Sequence, residues 1–189
     1  MPRALPAEER RGEILDGSFA LFAARGYHAL SMRDLARELG ASTGVLYHWF
    51  PGKHELYAAM LERQVARQVE EARASLAAAP EGLDVLAALG RHIAARAEDL
   101  QRTLVVALDW HRSGEDARAP ITAALDAWRA PMGALTGLPA SAVDHGLSIV
   151  LGELLQRVLD PERSLNGLER ALPALRSGAF APSSDLESF

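Results

Sequence analysis

Residues 35–56 read LARELGASTGVLYHWFPGKHEL, from Leu35 to Leu56. An apolar seam through Leu35, Ala36 and Leu39 stops at Gly40, which supplies a turn. Ser42 or Thr43 opens a second, short helix, and Pro51 ends it because proline cannot continue the hydrogen-bond ladder. A helix, a glycine turn, a short helix and a Pro-Gly stop outline a helix-turn-helix, whose second helix enters the major groove of DNA.

The short helix divides on a wheel of about 100° per residue. Val45, Leu46, Trp49 and Phe50 share one arc and are expected to pack on the preceding helices. Thr43, Gly44, Tyr47 and His48 share the opposite arc and are the expected DNA face. Glycine costs a helix about 1 kcal/mol relative to alanine, so Gly44 suggests close approach of backbone to DNA. Tyr47 and His48 offer donors to phosphate or to base edges, and Thr43 a hydroxyl or methyl. Ser42 serves as cap, phosphate contact or both. Trp49 is placed in the core by the wheel, while its indole N–H suits a phosphate. Lys53 is the sole lysine of the chain, and every other basic residue is arginine. At the start of the next helix it is expected to clamp a phosphate. Ser31 and Arg33 open the helix that crosses the DNA backbone and are further phosphate candidates. Arg3, Arg10 and Arg11 form either an arm toward the minor groove or a solvated terminus.

Charge agrees with docking by one end. The net charge is −5, yet seven basic residues face six acidic ones through Lys53, leaving +1 there and −6 beyond. Phosphate attraction is screened beyond about 8–10 Å, so a small basic face on an acidic body suffices. No cysteine is present, which excludes disulfides, thiol nucleophiles and thiolate metal sites. No apolar run approaches the roughly 18 residues of a spanning helix, so no membrane partner is expected. The first residues lack the apolar core of a secretory signal, and a cytoplasmic location is expected.

Apolar residues recur at helical spacing almost throughout, so the chain is expected to be all-α with about nine helices. The first runs from about Ala7 to Arg25, with Gly26 at its end. The second opens at Ser31, with Asp34 three residues on as capping-box partner. A long helix is expected from Lys53 to Ala79, closed by Pro80–Gly82. Helices at Leu83–Ala97 and Asp99–Arg112 have a seam continuous enough to form one bent helix. The next spans Ala117–Leu135, with a kink or break at Pro131. The last two are expected at Ser141–Leu159 and Leu165–Arg176.

In the run FAARGYHALSMRDLARELGASTGVLYHWFPGKHEL the chain resembles the TetR family of bacterial one-component transcription regulators. Phe22, Gly26, Tyr27, Gly40, Leu46, Tyr47, Phe50 and Lys53 carry the likeness, which covers about Ile14 to Met60. The resemblance implies a three-helix DNA-binding domain, here residues 1–52. A helical effector-binding and dimerisation domain then follows at 53–178, ahead of a tail at 179–189. Positions matching Ser42, Thr43, Gly44, Tyr47, His48, Trp49 and Lys53 commonly meet DNA in the family. Two residues depart from the pattern: Thr43 stands where lysine is frequent, and Trp49 where tyrosine or histidine is common. By the same likeness the last two helices form a four-helix bundle with a second copy, through Leu147, Val150, Leu154, Leu165, Leu168 and Leu172. Pro173 departs from that expectation, because it removes a hydrogen bond.

His92, Gln101, Trp110, His111, Trp128 and Met132 are scattered through the middle helices and are the expected lining of an effector pocket. Asp109 and His111 stand at i, i+2, on different helix faces, and with His145 make a poor metal set. No metal or cofactor is expected beyond an unidentified small-molecule effector. The expected function is a ligand-responsive, dimeric repressor, released from a pseudo-palindromic operator by that effector. The alternatives are a protein-protein adaptor that keeps the helix-turn-helix shape, or a helical enzyme using Asp109 with His111 or His92. No nucleophile or phosphate loop accompanies those groups, so catalysis is not expected.

Overall fold

The computed structural model describes residues 6–78, 85–114 and 117–177. Among these, nine helices make up the regular structure: α1 Ala7–Arg25, α2 Met32–Glu38, α3 Thr43–Trp49, α4 Lys53–Ala77, α5 Val85–Ala95, α6 Ala97–Arg112, α7 Arg118–Thr136, α8 Ala140–Leu159 and α9 Gly167–Ser177. The expected Pro80–Gly82 stop, Arg3 and the tail at 179–189 lie outside the described residues.

Local chemistry accounts for the first helix ends. Gly26 adopts φ +81° after α1, and its N–H donates to the Phe22 carbonyl at 2.8 Å. Such a φ is strained for any residue with a Cβ. Ser31 and Asp34 form a reciprocal capping box on α2, as their spacing predicts. Gly40, at φ +61°, turns the chain toward α3, where the Ser42 hydroxyl accepts the Val45 N–H at 3.2 Å.

Two compact units emerge from the packing, residues 1–68 with 102–125, and residues 69–101 with 126–189. The expected boundary between residues 52 and 53 falls inside the first unit. α4 is the reason: its first half carries Leu56, Tyr57, Met60 and Leu61, all buried with the core residues of α1 and with Trp110 of α6. Tyr57 packs on Phe22, Tyr27 and Trp110 at ring-centroid distances of 4.6, 5.1 and 5.0 Å. A three-helix reader cut at residue 52 would lose that base.

In the second unit, Ala72, Leu89, Met132 and Val143 form a buried cluster with Ile93, Trp128 and Leu135 against it. Ala142, Leu168 and Leu175 form another. α7 continues through Pro131 as helix, so the break allowed by the sequence does not occur. Trp128, Met132 and Leu135 all join the cluster, and that burial outweighs the rung proline removes. Pro173 likewise stands inside α9. α9 begins at Gly167, leaving Leu165 in the preceding loop. Glu153 of α8 sets that start by accepting the N–H groups of Asn166 and Gly167 at 3.2 and 2.6 Å. α5 and α6 are separate helices, parted at Arg96. No single helix among the described residues is long and apolar enough to cross a membrane; α7 and α8 reach that composition only together, bent by 119°.

Candidate nucleic-acid interface

α3 stands on two anchors. Leu46 is 0% and Phe50 2% exposed, which fixes the buried direction between them. On the wheel that direction lies about 50° from the middle of the expected core arc. The shift has consequences at both edges. Val45, expected in the core, is 37% exposed, and Thr43 is half-buried. A seven-residue helix has two turns, and two anchors suffice to decide its roll. The outward face is therefore Gly44, Val45, Tyr47 and His48, with Tyr47 51% exposed. Trp49 is half-buried at the edge, its ring 5.2 Å from that of His48 in an edge-on arrangement.

Nothing among the described residues explains Gly44. A Cβ there would meet only the Ser42 hydroxyl, at 3.9 Å. Gly44→Ala is therefore expected to raise stability by up to about 1 kcal/mol while lowering DNA affinity. Thermal unfolding beside a binding titration checks both signs, and unchanged affinity would remove Gly44 from the interface.

Other expected contacts are differently employed. The Ser31 hydroxyl donates to Asp34 Oδ2 at 2.6 Å and accepts the Asp34 N–H at 3.2 Å. These two bonds occupy the hydroxyl, and the Ser31 hydroxyl and then the Ser31 N–H, donating to Asp34 Oδ2, hold the Asp34 carboxyl below the usual carboxylate range. Ser42 is a cap that remains exposed. Arg33 is exposed and makes no ion pair among the described residues, whereas Arg37 pairs with Asp34 at 3.0 Å. Arg10 pairs with Glu13 at 3.0 Å, and the Arg11 guanidinium lies 5.3 Å from the centre of the Phe50 ring.

Lys53 is bound within the protein. Its ammonium donates to the carbonyls of Tyr27 and Leu30 at 3.0 and 3.2 Å. It also sits 3.9 Å from the centre of the Tyr27 ring. In this position the ammonium braces the α1–α2 turn. Only a long flexible stem reaches both carbonyls, which accounts for lysine where the chain otherwise uses arginine. Asp109 completes that brace from the other side, its Oδ2 accepting the Tyr27 N–H at 2.6 Å. Spacing could not reveal this pair, since 82 residues separate its partners.

This geometry agrees with known proteins. Residues 14–60 match the family model "Bacterial regulatory proteins, tetR family". Over residues 14–60 the chain is therefore similar to the TetR family. Among sequence relatives, the HTH-type transcriptional activator FasR of Mycolicibacterium smegmatis is 44% identical over 72 residues, 38% of this chain and 33% of the relative. The HTH-type transcriptional repressor AcnR of Corynebacterium diphtheriae is 38% identical over 61 residues, 32% of each. The chain thus spans about a third of the length of these relatives. A TetR-family structure from Streptomyces coelicolor A3 superposes with a TM-score of 0.71 at 19% identity, covering 89% of this chain and 97% of that one. A transcriptional regulator of Pseudomonas aeruginosa PAO1 gives 0.73 at 20% identity, covering 94% and 93%. The all-helical fold is therefore shared over most of the chain, while the family model matches residues 14–60.

The six residues expected to line an effector pocket divide between the two units. Trp110 is 0% exposed in the first unit, against Tyr57 and His54. His111 is exposed on the same unit. Trp128 and Met132 belong to the apolar cluster of the second unit, where Gln101 is half-buried. His92 is half-buried there too; its pKa is pushed down first by burial and then by the Arg96 charge, with Glu71 opposing. Among the described residues no group of three or more His, Cys, Asp or Glu side chains could hold a metal.

The expected dimer face also divides. Leu154 and Leu168 are buried within the chain, Leu168 against Ala142 and Leu175, with Val150 beside it. Leu147 and Leu165 are half-buried, and the Leu172 side chain lies outside the described residues. Within one chain, Leu168 of this seam already packs with Ala142 of α8 and Leu175 of α9. The apolar residues that α8 does expose are Leu155, Val158 and Leu159. Their spacing is a second stripe, legible in the sequence but masked by the stronger one.

Proposed function

We propose that this chain is a dimeric DNA-binding transcriptional regulator that acts as a repressor and is released from a pseudo-palindromic operator by a small-molecule effector. The observation that carries the DNA part is the outward face of α3. Gly44, Val45, Tyr47 and His48 point away from a base made rigid by Leu46 and Phe50, and Gly44 has no packing reason to be glycine. A bare backbone flanked by a phenol and an imidazole suits base edges and phosphates. Gene repression rests on the likeness of the reader to AcnR. The likeness to FasR, an activator, makes a reporter assay the arbiter of sign.

Selection of duplexes from a random pool, then gel shifts at low and physiological salt, tests the DNA reading. Enrichment of a two-fold symmetric sequence, with Tyr47→Ala weakening its binding about tenfold or more, is the expected result. Failure to enrich any sequence would favour the adaptor reading.

Dimerisation is expected through the outward stripe of α8. Leu155→Glu with Val158→Glu should convert a dimer to a folded monomer in sedimentation, because charges at an apolar face must be desolvated on association. A double variant that still sediments as a dimer would move the interface elsewhere. The effector and the operator must weaken each other by the same factor. A ligand that binds the protein but leaves operator affinity unchanged is therefore not the inducer.

A further inference from the structure

We infer that Asp109 of α6 is a positioning residue for the DNA reader, acting through the backbone of Tyr27; the inference rests on the DNA-binding function proposed above. The segment from Gly26 to Leu30 joins α1 to α2 and delivers the chain to the Ser31 cap. It is held at both of its hydrogen-bonding sides. Lys53 takes the carbonyls of Tyr27 and Leu30, and Asp109 takes the Tyr27 amide at 2.6 Å. The Tyr27 ring is buried, so the segment has a fixed side chain, donor and acceptors.

The carboxylate is itself immobilised. Its neighbour Trp110 is packed on Tyr57 and His54 of α4, with ring centroids 5.0 and 4.9 Å away. One turn earlier, the Tyr57 hydroxyl donates to the Val106 carbonyl at 2.9 Å. Further back, Gln68 Nε2 donates to Thr103 Oγ1 at 2.8 Å in a buried contact. α6 is thus fastened to α4 at three levels, and Asp109 projects from a helix that cannot roll. The fit at the turn is close. A Cβ on Gly26 would lie 3.3 Å from Asp109 Oδ2, at a backbone φ of +81° that side chains avoid. Gly26 is therefore required both by its conformation and by the carboxylate above it.

A shift of the turn moves the start of α2, and α2 packs on α3. A hydrogen bond to a charged group contributes about 1.5–3 kcal/mol. If that energy holds the reader in its binding arrangement, removing it lowers affinity by the corresponding factor, about 10-fold to 100-fold.

The test uses the full chain and the duplex enriched from the random pool. Asp109→Ala is expected to bind at least about tenfold more weakly, with an unchanged dependence on salt, because no phosphate contact is lost. Asp109→Asn keeps an acceptor oxygen and should restore most of the affinity. Exchange of the Tyr27 amide proton should be fast in Asp109→Ala and slow in Asp109→Asn. Val143→Ala, in the second unit, serves as a control that lowers stability without touching the reader, and should bind as the wild type does. If Asp109→Ala is insoluble, Asp109→Glu replaces it; the added methylene carries the carboxylate past the amide, and the same loss is expected. Wild-type affinity in Asp109→Ala or Asp109→Glu, or an equal loss in Asp109→Asn and the Val143 control, overturns the inference alone. A wild-type chain that enriches no duplex overturns the DNA reading and this inference with it.

Discussion

Lys53→Met is expected to lower stability by about 2–4 kcal/mol while leaving the salt dependence of DNA binding unchanged. The stem of methionine fills much of the same space, so the loss isolates the ammonium. Two charge-assisted hydrogen bonds to the Tyr27 and Leu30 carbonyls disappear, along with the cation over the Tyr27 ring. For a chain of this size the melting temperature should fall by roughly 5–15 °C. DNA affinity should fall as well, evenly across sequences, because the turn feeding α2 is loosened. A phosphate clamp makes the opposite pair of demands. Stability would be unaffected, and the slope of log K against log salt would drop by about 0.9 for one lost phosphate contact. Melting curves and a salt titration of the same variant separate the two. Lys53→Arg is a useful companion. The planar guanidinium cannot reproduce a compact ammonium between two carbonyls and a ring, so it should recover only part of the loss.

The helix order was legible because each end carries its own chemistry. Gly26, the Ser31–Asp34 pair, Ser42 and Pro51 mark boundaries within a residue or two of those observed, since caps and stops are local events. The outward position of Tyr47 and His48 was legible for the same reason, being a matter of helical period. The roll of α3 was not. Val45 and Thr43 exchanged places at the edges of the wheel because Leu46 and Phe50, the two fully buried residues, set the buried direction between them. Pro131 failed as a breaker where Trp128, Met132 and Leu135 bury on either side of it. Long-range pairs account for the larger misses. The job of Lys53 depends on carbonyls more than twenty residues away, and that of Asp109 on an amide 82 residues away. Neither backbone partner leaves any mark on residue type. α8 carries two apolar stripes: one includes Val150, which packs against the cluster with Leu168 and Leu175 of α9, and the other, Leu155, Val158 and Leu159, is exposed.

Trp110→Ala is expected to be the most damaging single change in the first unit, at about 3–5 kcal/mol. The indole is fully buried and lies between His54 and Tyr57 of α4. Tyr57 in turn contacts Phe22 and Tyr27, so a cavity at Trp110 opens beneath the aromatic stack under the reader. The Tyr57 phenol is pushed up in pKa first by burial and then by the neighbouring Asp109 charge. It therefore stays a neutral donor to Val106 over the working pH range, and titration cannot relieve the loss. Trp110→Phe separates packing from polarity. The Trp110 indole N–H has no hydrogen-bond partner among the described residues, and a buried donor left unpaired costs about 1–3 kcal/mol. Phenylalanine loses volume but also removes that donor, so the two effects oppose each other. The net change should stay within about 1–2 kcal/mol of wild type, because removing the unpaired donor offsets part of the lost packing. Denaturant unfolding of both variants gives the comparison. If Trp110→Phe were as damaging as Trp110→Ala, the indole nitrogen would have a partner that matters, and the aromatic stack would not be held by packing alone.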